Sequence, residues 1–256
     1  MKFQTTAYHF DLLKDNDRVS AFYEAISQYD SNNDLAYDLG CGSGLLSYFL
    51  NDKFAEVISL EINSNASKCA FENLKKFDNI TVLNEDVLNY DFTKKADLIV
   101  CEMLDTALID EEEVQVLNHA RNFLKENGEI IPKAIVNIAE LVHMERPYIH
   151  WDENASYEVL SNSINYSKIN LMEEINPHFE KNLEFKVNKN QIANGIKITT
   201  VTILNDDVVC GPTPMFNPPL LIPIDEINVK CNDLINVKLK YIMGQGIETI
   251  ETQIFR

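Results

Sequence analysis

The chain has 256 residues, 45% hydrophobic and 24% charged, enough to bury a substantial core as one large domain or two small ones. A formal net charge of −18 repels phosphate backbones, and the basic pairs Lys75-Lys76 and Lys94-Lys95 are isolated rather than joined in a stripe. No apolar run approaches the roughly eighteen residues of a membrane span, and Met1-Lys-Phe-Gln-Thr-Thr6 lacks a signal peptide's apolar core, so neither nucleic acid nor membrane is expected as a partner and a cytoplasmic location is.

Residues 1–130 alternate helix and strand patterns. Val19, Phe22, Ile26 and Tyr29 share one face of a helix predicted over Arg18 to Tyr29. Leu35 to Leu39 reads as a buried strand ending in a glycine turn, and Leu45 to Leu50 as a helix capped by Ser43. Glu56 to Ile62 is a second strand. Ala66, Cys69, Ala70, Leu74 and Phe77 form the apolar stripe of the next helix. Ile80 to Leu83 and Asp97 to Cys101 are the third and fourth strands. Val114, Leu117, Arg121 and Leu124 mark a further helix, ended by Gly128. This order implies a parallel sheet with helices on both faces.

Pro132 marks a change of character. Ile196 to Leu204, Leu234 to Ile242 and Ile247 to Phe255 alternate or enrich β-branched residues. Gly211-Pro-Thr-Pro214 and Pro218-Pro219 punctuate the loops, and Met243-Gly-Gln-Gly246 reads as a turn between the last two strands. An antiparallel barrel or sandwich is expected here, while residues 151–190, mixed and polar, give no pattern. The five cysteines, 41, 69, 101, 210 and 231, are odd in number and form no Cys-x-x-Cys pair. They read as small buried hydrophobes rather than as disulfides or a zinc site.

The turn Asp38-Leu-Gly40-Cys41-Gly42-Ser-Gly44 carries the first chemistry. Glycines after a first strand let a ligand approach the backbone, and the following helix aims its amides at it. A dinucleotide site reads Gly-x-Gly-x-x-Gly. Here the spacing is Gly-x-Gly-x-Gly with Asp38 ahead of it, a carboxylate ill suited to a pyrophosphate. A ligand with an ammonium group and no phosphate fits better, and S-adenosylmethionine is such a ligand. Glu61, at the end of the second strand, is placed to accept its ribose hydroxyls, and Asp86, after the third, to meet its adenine amino group.

Before the sheet stands His9-Phe-Asp-Leu-Leu-Lys-Asp-Asn-Asp-Arg18. After the fourth strand stands Glu102-Met-Leu-Asp-Thr-Ala-Leu-Ile-Asp-Glu111, and further on Asn118-His-Ala-Arg-Asn-Phe-Leu-Lys-Glu-Asn-Gly-Glu-Ile-Ile-Pro132. Across about residues 8–154 the chain resembles the protein arginine methyltransferases. The resemblance implies that His9 and Arg18 help enclose S-adenosylmethionine, with Arg18 on its carboxylate. It also implies that Glu102 and Glu111 grip a guanidinium, a planar cation rich in donors, and aim one nitrogen at the sulfonium methyl. Glu112, which shares the acidic run Asp110-Glu-Glu-Glu113, is open as a substitute for Glu111, and Asp105 is a weaker third candidate. The family's His-Trp pair on a late barrel loop has no counterpart in Met215-Phe-Asn-Pro-Pro-Leu220. The sole tryptophan, Trp151, lies in Tyr148-Ile-His-Trp-Asp-Glu-Asn154, which resembles a stretch early in the family's barrel.

The expected fold class is therefore α/β. A Rossmann-like methyltransferase sheet with N-terminal helices occupies residues 1–131, and a β-barrel-like substrate domain occupies 132–256. The expected function is methyl transfer from S-adenosylmethionine to a guanidinium or similar nitrogen. Two alternatives stand beside it: another nucleophile or small molecule as acceptor, and a non-catalytic cofactor-binding scaffold. The acidic charge favours a protein partner with an Arg-rich segment, although it also serves solubility; a homodimer is open.

Overall fold

The computed structural model describes residues 3–151, 156–213 and 215–255; Met1-Lys2 of the N-terminal segment, Asp152-Glu-Asn154 and Pro214 of the quoted motifs lie outside them. Two helices, α1 (Ala7–Lys14) and α2 (Asn16–Ser27), precede an alternating array. This runs β1 (Asn33–Leu39), α3 (Leu45–Leu50), β2 (Phe54–Leu60), α4 (Ser64–Leu74), β3 (Ile80–Leu83), β4 (Ala96–Cys101), α5 (Glu113–Ala120) and β5 (Leu124–Ile131). The five strands pair in the order β3-β2-β1-β4-β5, all parallel. Continuous burial along β1 and β4, from Leu35 to Leu39 and from Leu98 to Cys101, marks strands covered on both faces. The strand order reverses between β1 and β4, so a crevice opens at their carboxyl ends. Asp38 with the glycine turn, and Glu102, sit at those two ends.

Three local expectations change. Gly44, in the left-handed region, is the N-cap of α3 and supplies no side chain; Ser43 is not the cap, and its carbonyl instead accepts from Asn73 Nδ2. Gly128 does not end α5, which stops at Ala120 and passes through a 3-10 turn, Arg121–Phe123. Gly128 lies inside β5, where a Cβ would sit 2.9 Å from the Ala96 carbonyl oxygen, beside a register shift. Strand interiors that need such an approach take glycine. The fifth strand gives no sequence signal because Leu-Lys-Glu-Asn-Gly-Glu is polar and, apart from Gly128, only its end, Ile130-Ile131, is buried.

Beyond Pro132 the chain is antiparallel. It forms β6 (Ala134–Met144), β7 (His150–Trp151), β8 (Tyr157–Val159), β9 (Ile164–Asn170), β10 (His178–Lys186), β11 (Gln191–Ile203), β12 (Val209–Cys210), β13 (Leu220–Val229), β14 (Leu234–Ile242) and β15 (Glu251–Phe255). One sheet runs β7-β13-β11-β6-β8, with β9 on β6 and β12 on β11; the other is β10-β14-β15. The sheets meet where Thr252 Oγ1 donates to the Pro223 carbonyl at 3.1 Å. The mixed α/β class with an antiparallel C-terminal part is as expected. The strand predicted from Ile247 begins as a 3-10 turn, Ile247–Thr249, and the preceding turn holds Gly244 and Gly246 at φ +71° and +92°. β8, β9 and β10 fill the stretch that gave no pattern. β10 alternates only weakly because one face is solvated: Leu183 and Phe185 point inward while Glu180 pairs with Lys238 at 2.5 Å.

Candidate active site

The glycine turn is built by backbone geometry. Gly42 has φ +56°, and a Cβ there would lie 2.5 Å from Nε2 of His9, so α1 lays its histidine directly over the turn. Burial lowers the His9 pKa, keeping the ring neutral, and Nδ1 bonds Thr6 Oγ1 at 2.7 Å. Glu61, nearly buried, accepts from the Gly42 amide at 2.8 Å and the Asn63 amide at 2.7 Å. Its carboxylate therefore braces the turn as well as facing the crevice. Asp38 accepts from Ser47 Oγ, which also bonds Ser59 Oγ at 2.7 Å. Full burial pushes the Asp38 carboxyl up to about 7, with Ser47 pulling down and the Glu102 and Glu61 charges adding to the rise.

These residues surround one cavity of about 330 Å³ at the β1/β4 crevice. His9, Arg18, Asp38, Gly40, Cys41, Gly42, Glu61, Glu102 and Glu111 all line it. Two expected residues do not. Gly44 turns under α4, where a Cβ would meet Leu74 Cδ1 at 2.6 Å. Asp86 caps the 3-10 turn Val87–Asn89, accepting from the Leu88 amide at 2.9 Å and Asn89 Nδ2 at 2.6 Å. Cys41 is buried and, with Cys101, has its thiol pushed up by burial, so both stay protonated and unreactive.

Arg18 is 5% exposed. Its Nη2 pairs with Glu102 Oε2 and its Nη1 donates to the Leu12 carbonyl at 3.2 Å. Its Nε–H is buried and has no acceptor among the described residues. A buried donor left unpaired beside a cavity is where an anionic ligand group gains most. The same guanidinium that orients Glu102 thus keeps one donor for a carboxylate. The glycine turn offers open backbone, and Glu61 retains acceptor capacity at the other end. That set fits an adenosyl amino acid and does not suit a diphosphate.

The loop between the two glutamates is pinned from several sides. Ala107 and Leu108 have φ of +62° and +59°, unusual for residues with side chains. The Ala107 amide donates to Thr200 Oγ1 at 2.8 Å, and Gly244 and Gly246 donate to the Leu108 and Ile109 carbonyls, each at 3.0 Å. The antiparallel part therefore holds the loop. Asp105 is a brace rather than a member of the cavity wall: it accepts from the amides of Ile109, Asp110 and Glu111 at 3.1, 3.0 and 3.3 Å. Burial pushes its carboxyl up to about 7. Glu111 is raised by burial, then by the charges of Glu102, Asp110 and Glu112. Glu112, the alternative to Glu111, lines a neighbouring groove instead.

Sequence reasoning missed several contributors. Glu113 is fully buried; it accepts from the Met103 amide at 3.1 Å, its Oε1 has no partner among the described residues, and burial pushes its pKa far up. It ties the residue after Glu102 to the helix that starts after Glu111, yet in sequence it is one more acid in a run. Asp15 caps α2 at the Arg18 amide and also accepts from Thr213 Oγ1 and, at 3.2 Å, the Met215 amide. No pattern in the chain announces contacts about 200 residues apart. Tyr8, Met103, Leu104 and Met215 also line the wall.

Residues 36–128 match the family described as a methyltransferase domain. An uncharacterised protein of Methanothermobacter thermautotrophicus is 42% identical over 99% of this chain and 100% of its own length. Another, from Methanocaldococcus jannaschii, is 33% identical over 99% of each. Protein arginine N-methyltransferase 2 of Dictyostelium discoideum is 25% identical over 76% of this chain, a match spanning 40% of that protein. Among solved structures, the Trypanosoma brucei PRMT1 enzyme-prozyme heterotetrameric complex with AdoHcy matches with a TM-score of 0.80 at 15% identity, over 98% of each chain. Arabidopsis thaliana protein arginine methyltransferase 10 gives 0.80 at 13% identity, over 98% of this chain and 97% of that one. The chain belongs to one family with the two archaeal proteins; it carries a methyltransferase domain over residues 36–128 and has the fold of the protein arginine methyltransferases.

Proposed function

We propose that the protein methylates a guanidinium nitrogen of arginine in a cationic protein segment. Residues 1–131 hold the cofactor and 132–256 shape the acceptor cleft. The observation that carries this reading is the sharing of one cavity by the glycine turn, Glu102 and Glu111. Arg18 Nε takes the cofactor's carboxylate, Glu61 its ribose hydroxyls, and His9, Asp38, Gly40, Cys41 and Gly42 enclose the rest. Gly44 contributes through the shape of the turn; Asp86 remains available to the adenine only from beyond the cavity wall. S-adenosylmethionine, when bound, supplies an electrophilic methyl on a sulfonium.

Glu102, oriented by Arg18, and Glu111, oriented by its braced loop, hold the acceptor guanidinium by its edges. Glu111 is the proton acceptor: its raised pKa brings it nearer the working pH, as a general base requires. A groove beside it adds Asp110, Glu112 and Glu248, an acidic approach for a cationic segment. Exposed rings of Tyr23 and Tyr48 pack with Phe49 and Phe77, and we assign this patch to a homodimer, which sedimentation tests.

The test is transfer of labelled methyl to an Arg-rich peptide, to free arginine and to cell metabolites. Labelling of the peptide, lost with Glu102→Gln or Glu111→Gln, supports the reading. Labelling of metabolites alone moves the acceptor to a small molecule. No turnover on any acceptor, with cofactor bound, leaves a binding scaffold.

A further inference from the structure

Tyr8, Leu104, Glu111 and Met215 line both the large cavity and a second hollow of about 220 Å³. Beyond these shared residues, the hollow is walled by Trp151 and Pro218 and edged by Asp105 and Asp110. Trp151 arrives by strand pairing: β7 runs antiparallel to the start of β13, with Trp151 opposite Leu220. Leu220 closes the late loop whose own sequence lacks a tryptophan. An aromatic side chain therefore stands beside that loop, delivered from about 65 residues upstream. Met215, the loop's contribution, has its amide fixed by Asp15.

We propose that this hollow is the acceptor subsite and that Trp151 determines its specificity for arginine. The claim rests on the arginine reading above. An arginine side chain is an unbranched apolar stem bearing a planar cation. Trp151, Met215, Pro218 and Leu104 offer the stem apolar walls, and an indole face attracts the guanidinium. Glu111 stands where the hollow meets the large cavity, so a side chain passing along the hollow reaches it cation first. A short neutral or anionic acceptor gains from neither the walls nor the carboxylates.

The chain's single tryptophan is itself the probe. The intact protein, saturated with S-adenosylhomocysteine, is titrated with a glycine-flanked, single-arginine peptide that contains no aromatic residue. A saturable change in tryptophan emission is expected, absent when norleucine replaces the arginine. Trp151→Leu is expected to raise the peptide KM about tenfold or more and to leave S-adenosylhomocysteine affinity unchanged, which also reports that the variant folds. Peptide methylation by the wild type with flat emission, or an unchanged KM in Trp151→Leu, overturns the subsite and leaves the arginine reading intact. An arginine-dependent emission change without methyl transfer upholds the subsite and removes the transfer. Silence in both measurements overturns both.

Discussion

Removing Arg18 tests whether one side chain serves two masters. The Arg18 and Glu102 side chains are 7% and 13% exposed, so the pair is nearly desolvated. Breaking such a pair by deleting one member leaves an uncompensated charge and costs about 3–5 kcal/mol, whereas replacing both with neutral groups is often close to neutral. Arg18→Met strands Glu102 among Asp38, Glu61 and Glu111, so it belongs at the upper end. Glu102→Gln keeps an acceptor for Nη2 and leaves Arg18 near Asp15, so it costs less. The double variant is expected to be more stable than Arg18→Met alone. For a chain of this length each kcal/mol moves Tm by about 2–4 °C, so Arg18→Met lowers it by roughly 6–20 °C. Urea denaturation of the four proteins closes the cycle. Strictly additive costs would refute the coupling. Arg18→Lys separates the second role: it keeps a positive charge beside Glu102 but loses the Nε donor. Its affinity for S-adenosylhomocysteine is expected to fall at least tenfold, the value of a charge-assisted bond of about 1.5–3 kcal/mol. Unaltered affinity would show that Nε never meets the ligand.

Other expectations follow from the acids around the site. The Asp38 carboxyl rises from 3.8 to about 7, so the fold prefers it protonated; that preference is fully present below the unfolded value and lost as pH climbs through about 7. Asp38→Asn is therefore expected to gain stability relative to the wild type between pH 5 and 9, with a ceiling of roughly 4 kcal/mol; a relative loss over that range, measured by denaturation, contradicts the assignment. Because Glu111 is raised, the acidic limb of kcat/KM is expected above the ordinary carboxylate range, and a limb at the free-carboxylate value removes Glu111 as the base. Asp105→Ala strips the acceptor from three amides and is expected to lower kcat by at least tenfold with cofactor affinity kept; unchanged kcat shows the loop needs no brace. Glu113→Gln keeps an acceptor for the Met103 amide and is expected to stay near wild-type activity, while Glu113→Leu loses it; the reverse ranking in steady-state kinetics shows that Glu113 acts through its charge.

Much of this architecture was legible because it is written in local periodicity. The α3 bounds, Leu45–Leu50, and the β3 and β14 bounds match the sequence reading to the residue, since apolar spacing and flanking turns both marked them. The cavity wall was legible where it follows strand ends, as with Asp38, Glu61 and Glu102. Asp86 obeyed the same rule and still caps a turn, because a short polar side chain finds its own backbone first. Gly44 stands outside the cavity wall and Gly128 inside a strand because close packing of distant groups, Leu74 and the Ala96 carbonyl, fixes them. Trp151 was set aside for its sequence position, whereas its place in the hollow is decided by a pairing across about 70 residues.

The charge of the site has a logic that the total of −18 conceals. Eight acids crowd the crevice and its loop: Asp38, Glu61, Glu102, Asp105, Asp110, Glu111, Glu112 and Glu113. Left fully ionised, they would repel one another and pull the loop apart. Burial raises Asp38, Asp105 and Glu113, so the deepest acids carry much of their weight as hydrogen-bonding groups rather than as charges. Arg18 cancels Glu102 and turns it toward the crevice. Glu61, Asp110, Glu111 and Glu112 have no ion pair among the described residues, and of these Glu111 is raised, by burial first and then by the charges of Glu102, Asp110 and Glu112. An arriving cation is attracted to these acids and holds Glu111 in its carboxylate form, the form that accepts a proton. The site therefore attracts a positive acceptor, whereas a neutral acceptor gains nothing from its charge. This asymmetry supports the cationic acceptor proposed above over an uncharged nucleophile on grounds independent of any resemblance.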